Sequence, residues 1–152
     1  VMSAGEDRLG AIIRAGIPYV GSVGALDMVN FAAFDTVPEK FAHRNLYKHN
    51  ANVTLMRTTA EENREMGRWI GAKLNQMTGP VRFLLPEKGV SLIDAEGQPF
   101  HDPAADEELF SAIEATVQQT DDRKGERLPY NINDTEFAAA LVSAFRELWR
   151  NR

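Results

Sequence analysis

The chain has 152 residues, one domain's length, with 43% hydrophobic and 26% charged residues, a balance that excludes a disordered tail, a collagen-like fibre and a coiled-coil rod. Its 17 Lys and Arg against 22 Asp and Glu leave a formal charge of -5, which excludes the broad basic surface that duplex nucleic acid demands. Zero cysteines exclude disulfides, thiolate metal sites and a Cys nucleophile, and no apolar run is long enough to span a bilayer.

The pattern begins abruptly. Residues 6–15 read as a helix with Leu9, Ile12 and Ile13 on one face, stopped by Gly16 and Pro18. Residues 19–23 read as a short buried strand. Such an entry is expected of a piece cut from a longer protein. Regular periodicity is then lost over residues 24–52, apart from one helical turn at 36–41 with Pro38 near its start. A loop of that length carrying Phe31, Phe34, Phe41 and Tyr47 is expected to be functional or covered by a partner.

Beyond it the chain is regular. Residues 53–56 read as a short strand or extended segment, and Thr59 with Glu62 forms a capping box. The helix they open runs to about residue 77, with Met66, Trp69, Ile70, Leu74 and Met77 on one side. Residues 81–85 are the best strand, and residues 94–97 suggest a hairpin. Asp106 is placed to cap a helix carrying Leu109, Phe110, Ile113 and Val117. A solvated charged loop at 121–126 and a short strand at 128–132 follow. Asn133 with Glu136 then opens a terminal helix whose core face is Phe137, Leu141, Ala144, Phe145 and Leu148. This alternation predicts an α/β domain, three-layered and Rossmann-like around a mainly parallel sheet, truncated on its N-terminal side.

Parallel α/β sheets bind ligands outside the carboxyl ends of their strands, and three segments occupy that kind of position. Arg57, Thr58 and Thr59 run into a capped helix, where free N–H groups and a guanidinium can cradle an anion. The same letters also describe a plain cap beside a surface ion pair. Lys88, Gly89 and Ser91 follow the strongest strand, offering charge, close backbone approach and a hydroxyl, or only a tight turn. The spacing is not that of a P-loop. Asp27 and Asn30 sit among apolar neighbours after two glycines and serve either a ligand or the bracing of a loop.

Of the three imidazoles, His49 is the candidate general base, being close in sequence to Asn50 and Arg57. His101 beside Asp102 reads as a local turn. No metal site is expected, because neither His43, His49 nor His101 shows ligand spacing.

The words at 24–31, His49-Asn50, 53–59, 86–91, 99–103 and 132–138 together resemble an uncharacterised ATP-binding-domain family of two-domain proteins, the one that includes the tomato mosaic virus resistance protein. The resemblance covers nearly the whole chain. It implies the later part of the family's second α/β domain, with ATP binding attached to the first domain, outside these residues. Asn131 stands where that pattern often carries His.

The expectation is therefore a small anionic ligand, a phosphate or carboxylate and nucleotide-linked in one version. Arg57, Thr58, Thr59, Lys88, Gly89 and Ser91 would hold it, Asn30 and Asn50 would orient it, and His49 or Asp27 would exchange a proton. No cofactor is assigned to the chain itself. The alternative is a noncatalytic interaction domain, a homodimer or homo-oligomer. A cytoplasmic location is expected, with neither nucleic acid nor membrane as partner.

Overall fold

The computed structural model describes residues 5–150; residues 1–4 of the opening segment lie outside them. In chain order the elements are α1 (Gly10–Ala15), β1 (Tyr19–Gly21), β2 (Met28–Phe31), β3 (Leu46–Asn50), β4 (Val53–Arg57), α2 (Ala60–Asn75), β5 (Val81–Pro86), α3 (Pro103–Thr116), β6 (Arg123–Leu128) and α4 (Thr135–Arg150). Two 3-10 turns, Phe34–Thr36 and Glu39–Phe41, lie between β2 and β3.

β5 is the centre of a parallel sheet ordered β1-β5-β6. Side chains alternate along a strand, so Val81, Phe83 and Leu85 point one way, into a core with Leu74, Leu109, Phe110 and Ile113 of α2 and α3. Arg82 and Leu84 point the other way, under α4. Helices therefore lie on both faces of the sheet.

α2 and α3 touch closely because Gly67 and Gly71 remove the side chains between them. A Cβ on Gly67 would lie 2.6 Å from the Leu109 carbonyl oxygen, and one on Gly71 would lie 2.6 Å from the Thr116 Cβ. The carboxyl end of α2 is closed from outside by Arg123 of β6. Its guanidinium donates to the carbonyls of Leu74, Asn75 and Met77 at 3.0–3.1 Å, where the helix dipole favours a cation.

A second, antiparallel sheet ordered β2-β4-β3 takes its outer strands from the stretch read as irregular, and its middle strand, β4, is the short strand expected at 53–56. Its strands are short and mix polar with apolar residues, so the period of two is faint. Arg57 pairs with Met28, and the Ala51–Asn52 turn joins β3 to β4. The aromatics of the stretch serve mostly to pack it: Phe31 lies against Phe41, and Tyr47 meets the edge of Phe100.

Other expectations shift for identifiable reasons. Residues 121–126 are not a free loop; they enter β6, an outer strand that tolerates charge because alternate side chains face solvent. Residues 94–97 form turns and no hairpin strands. Asp102, with Pro103 at the first helical position, caps α3 through the Ala105 N–H at 3.0 Å, which frees Asp106 for the interior. Trp69, placed on the apolar side of α2, and Phe145, assigned to the core face of α4, are exposed, Phe145 at 49%.

Candidate functional site

The loops that leave the carboxyl ends of all three parallel strands meet at one cleft of about 490 Å³. Gly24 and Ala25 follow β1, Val90 to Ile93 follow β5, and Ile132 and Asn133 follow β6. The antiparallel sheet supplies the remaining wall with Met28, Asn30, Leu55 and His49. Convergence of this kind is where open α/β sheets take their ligands.

His49 reaches the cleft through a β-bulge. Lys48 pairs with Thr54 and Asn50 with Val53, so two residues of β3 oppose one of β4 and His49 is the extra residue. Bulges of this type turn a side chain away from the regular pleat. A second irregularity lies opposite: Ala25 has φ +58°, a left-handed conformation that costs a residue with a Cβ about 1–2 kcal/mol. It is held by its N–H donating to the Val90 carbonyl at 2.8 Å.

Beneath the cleft, Ser91 donates to Oδ2 of Asp27 at 2.7 Å, and Asp27 is fully buried. Burial pushes the Asp27 carboxyl up, against the pull of the Ser91 hydrogen bond and the Arg57 charge. The loop bearing Ser91 is clamped by Asn131, whose amide donates to the Lys88 carbonyl at 2.9 Å and the Ser91 carbonyl at 3.0 Å. Gly89, at φ +113°, lets the loop pass: a Cβ there would sit 2.8 Å from that same amide.

Arg57 is oriented away from the cleft. Its Nε donates to the Phe100 carbonyl at 2.8 Å and its Nη1 to Thr58 Oγ1 at 3.2 Å. Its Nη2 meets Asp106 at 2.8 Å and Asp94 at 3.1 Å, with all three side chains buried. Asp94 also accepts from the Val90 N–H at 2.8 Å. One guanidinium thus serves two buried carboxyls. Burial, with the neighbouring Asp106 carboxylate, pushes Asp94 up to about 8.

The expected site residues accordingly separate. Asn30, His49 and Ser91 line the cleft, with Asp27 directly below Ser91. Thr58 donates to the Leu26 carbonyl at 2.7 Å, and Thr59 caps α2 with Glu62, which in turn pairs with Arg44. Asn50 accepts from the Asn52 N–H in the hairpin turn, and the Lys88 side chain is exposed outside the cleft. His101 Nδ1 donates to the Asp94 carbonyl, 3.1 Å away. Among the described residues no group of three or more His, Asp or Glu is arranged to hold a metal ion, and no helix is long and apolar enough to cross a membrane.

Sequence reasoning gave Asp94, Asp106 and Asn133 only turn or capping roles and Asn131 only a place in the family pattern, and put none of them at the site. The available signal was a carboxylate inside an apolar word: Asp94 follows Leu92-Ile93, and Asp106 shares a helix face with Leu109 and Phe110.

The weakened acidity of Asp94 sets a pH dependence. From its usual 3.8 up to about 8, the folded chain holds a proton that the unfolded chain has lost, so stability falls as pH rises through that interval and levels above it. Urea unfolding between pH 5.5 and 8 should show this decline, and Asp94→Asn should make it shallower. An unchanged slope in the variant would contradict the assignment.

Over residues 1–149 the chain matches the model of the Uncharacterised protein family (UPF0261) C-terminal domain. A UPF0261 protein of Rhizobium meliloti is 62% identical over 148 residues, covering 97% of this chain and 37% of that protein. A UPF0261 protein of Clostridium tetani is 52% identical over 142 residues, covering 93% and 35%. The ToMV resistance protein Tm-1(GCR237) of Solanum lycopersicum is 45% identical over 148 residues, covering 97% and 20%. The chain thus spans well under half of each relative's length. On these matches it belongs to the uncharacterised family UPF0261, in the region of that family's C-terminal domain.

Proposed function

We propose that this chain is a ligand-binding domain of an enzyme-like protein, taking a small molecule with one acidic group in the cleft outside the parallel strands. The reading treats the domain as three-layered and Rossmann-like. It is carried by one observation: the loops after β1, β5 and β6 and the bulged His49 all line the same cleft. His49 would pair with a carboxylate or phosphate, or exchange a proton with it, and Asn30 and Asn133 would orient the body of the ligand. Among the described residues no Lys or Arg lines the cleft, which favours one acidic group over a polyphosphate. Arg57, Thr58 and Thr59 support the site by bracing its walls, since their hydrogen bonds are already made within the chain.

A thermal-shift screen of carboxylic acids and sugar phosphates tests this directly, because a ligand that binds only the native state raises Tm by mass action. The expected hit raises Tm in the parent, and His49→Ala weakens its binding by about tenfold or more, the scale of one charge-assisted hydrogen bond. A hit insensitive to His49→Ala and Asn30→Ala would remove this cleft as the site.

A second reading, self-association, is favoured by α4. Val142 and Phe145 are each 49% exposed on its outer face. Sedimentation velocity across a concentration series should show dimers that Phe145→Glu abolishes; a single monomeric species at every concentration would discard this reading.

A further inference from the structure

The proton balance beneath the cleft specifies what kind of atom the cleft receives. Asp27 and Asp94 are fully buried and Asp106 nearly so, and the cation near them is Arg57. Arg57 spends its Nη2 on Asp94 and Asp106. Asp27 is left with its field alone, and the Asp106 charge acts against that help. One oxygen of Asp27 contacts Ser91, and the other, Oδ1, has no hydrogen-bond partner among the described residues. A bare carboxylate in such a place is costly, whereas the neutral acid is not.

The neutral acid changes the serine. A contact of 2.7 Å between a carboxyl and a hydroxyl accommodates the hydrogen on either oxygen. With Asp27 ionised, Ser91 must donate downward and shows only lone pairs to the cleft. With Asp27 protonated, the acid can donate upward, and the Ser91 hydrogen is free to point into the cleft. The backbone around Ser91 is fixed for such a role. Asn131 holds its carbonyl, Asp94 holds the N–H of Val90, and the Val90 carbonyl holds Ala25.

We infer that Asp27 is a proton-holding positioning residue that makes Ser91 a hydrogen-bond donor in the cleft, and that the ligand presents a carbonyl or carboxylate oxygen to Ser91. The inference rests on the cleft reading above and deepens it by naming the acceptor. Asp27 does not touch the ligand; it acts through Ser91. The groups whose charge bears on it are Arg57 of β4 and Asp106 of α3, with Asp94 linked to both through the guanidinium.

Two measurements on the chain as it stands test this. In the first, aspartate carboxyl carbons are labelled with carbon-13 and titrated by NMR. One resonance, missing from Asp27→Asn, should keep the protonated shift at neutral pH and should move in Ser91→Ala. An ionised shift for it at neutral pH overturns the inference. In the second, acetate, acetamide and inorganic phosphate are the probes, followed by amide chemical shifts at Ser91 and His49.

Acetate and acetamide should perturb both residues, with affinity falling about tenfold in Ser91→Ala, one neutral hydrogen bond's scale. Binding to the parent should weaken as Asp27 ionises. Asp27→Asn, whose amide always donates, should lack that component; His49 is the same in both proteins, so the difference between profiles reports Asp27. Identical profiles, or binding of phosphate alone, overturn the inference. No response to any probe while Asp27 is protonated overturns the cleft reading itself. Probe binding beside an ionised Asp27 overturns only the proton-holding role.

Discussion

The buried guanidinium of Arg57 is the constraint on which the rest of this structure depends. It belongs to β4, the middle strand of the antiparallel sheet, yet its partners lie elsewhere: Asp94 and the Phe100 carbonyl in the turns after β5, and Asp106 in the first turns of α3. One side chain therefore fastens the small sheet to the parallel one. Arg suits the post because its planar fork can satisfy several acceptors at fixed angles, which a lysine ammonium cannot. Burial of the cluster gives stability only while Arg57 and Asp106 are both present, since removal of either leaves an uncompensated charge inside.

The cleft follows from that fastening. Asp94 uses its second oxygen to hold the Val90 N–H, and Val90 holds Ala25 in its left-handed conformation, so the hub reaches the loops after β5 and β1 in two steps. Asn131 brings in the loop after β6 by gripping Lys88 and Ser91 through their carbonyls. The strained Ala25 and the bulge residue His49 both line the same cleft. Strain that neighbouring contacts maintain is characteristic of binding sites, where it keeps groups in place before a ligand arrives.

Much of this was legible in the sequence. The capping box at Thr59 and Glu62, the strand at 81–85 and the helix carrying Leu109, Phe110 and Ile113 follow from local chemistry, and they are present. The family resemblance rested on short words spread over the chain and agrees with the family match. Of the antiparallel sheet only the middle strand at 53–56 was legible; β2 and β3 were not, because they are four and five residues long and mix polar with apolar positions. β6 was hidden by its charges, which an outer strand can keep in water. Of the candidate site, His49, Asn30, Ser91 and Asp27 were reachable as polar residues in segments that the sequence itself singles out. The direction in which Arg57 points was not: only folding brings Asp94 and Asp106 to it, and a sequence cannot tell a buried arginine from one awaiting an anion.

Amide hydrogen exchange on Arg57→Lys, compared with the parent, tests the central claim that Arg57 fastens the two sheets. The substitution keeps the charge and removes the fork. If Arg57 is the fastening, protection falls in β2, β3 and β4, in residues 90–100 and in the first turn of α3, while β1, β5, β6 and α2 retain theirs. Unchanged protection across the antiparallel sheet would contradict the account, and would return Arg57 to the role of a residue waiting for a ligand.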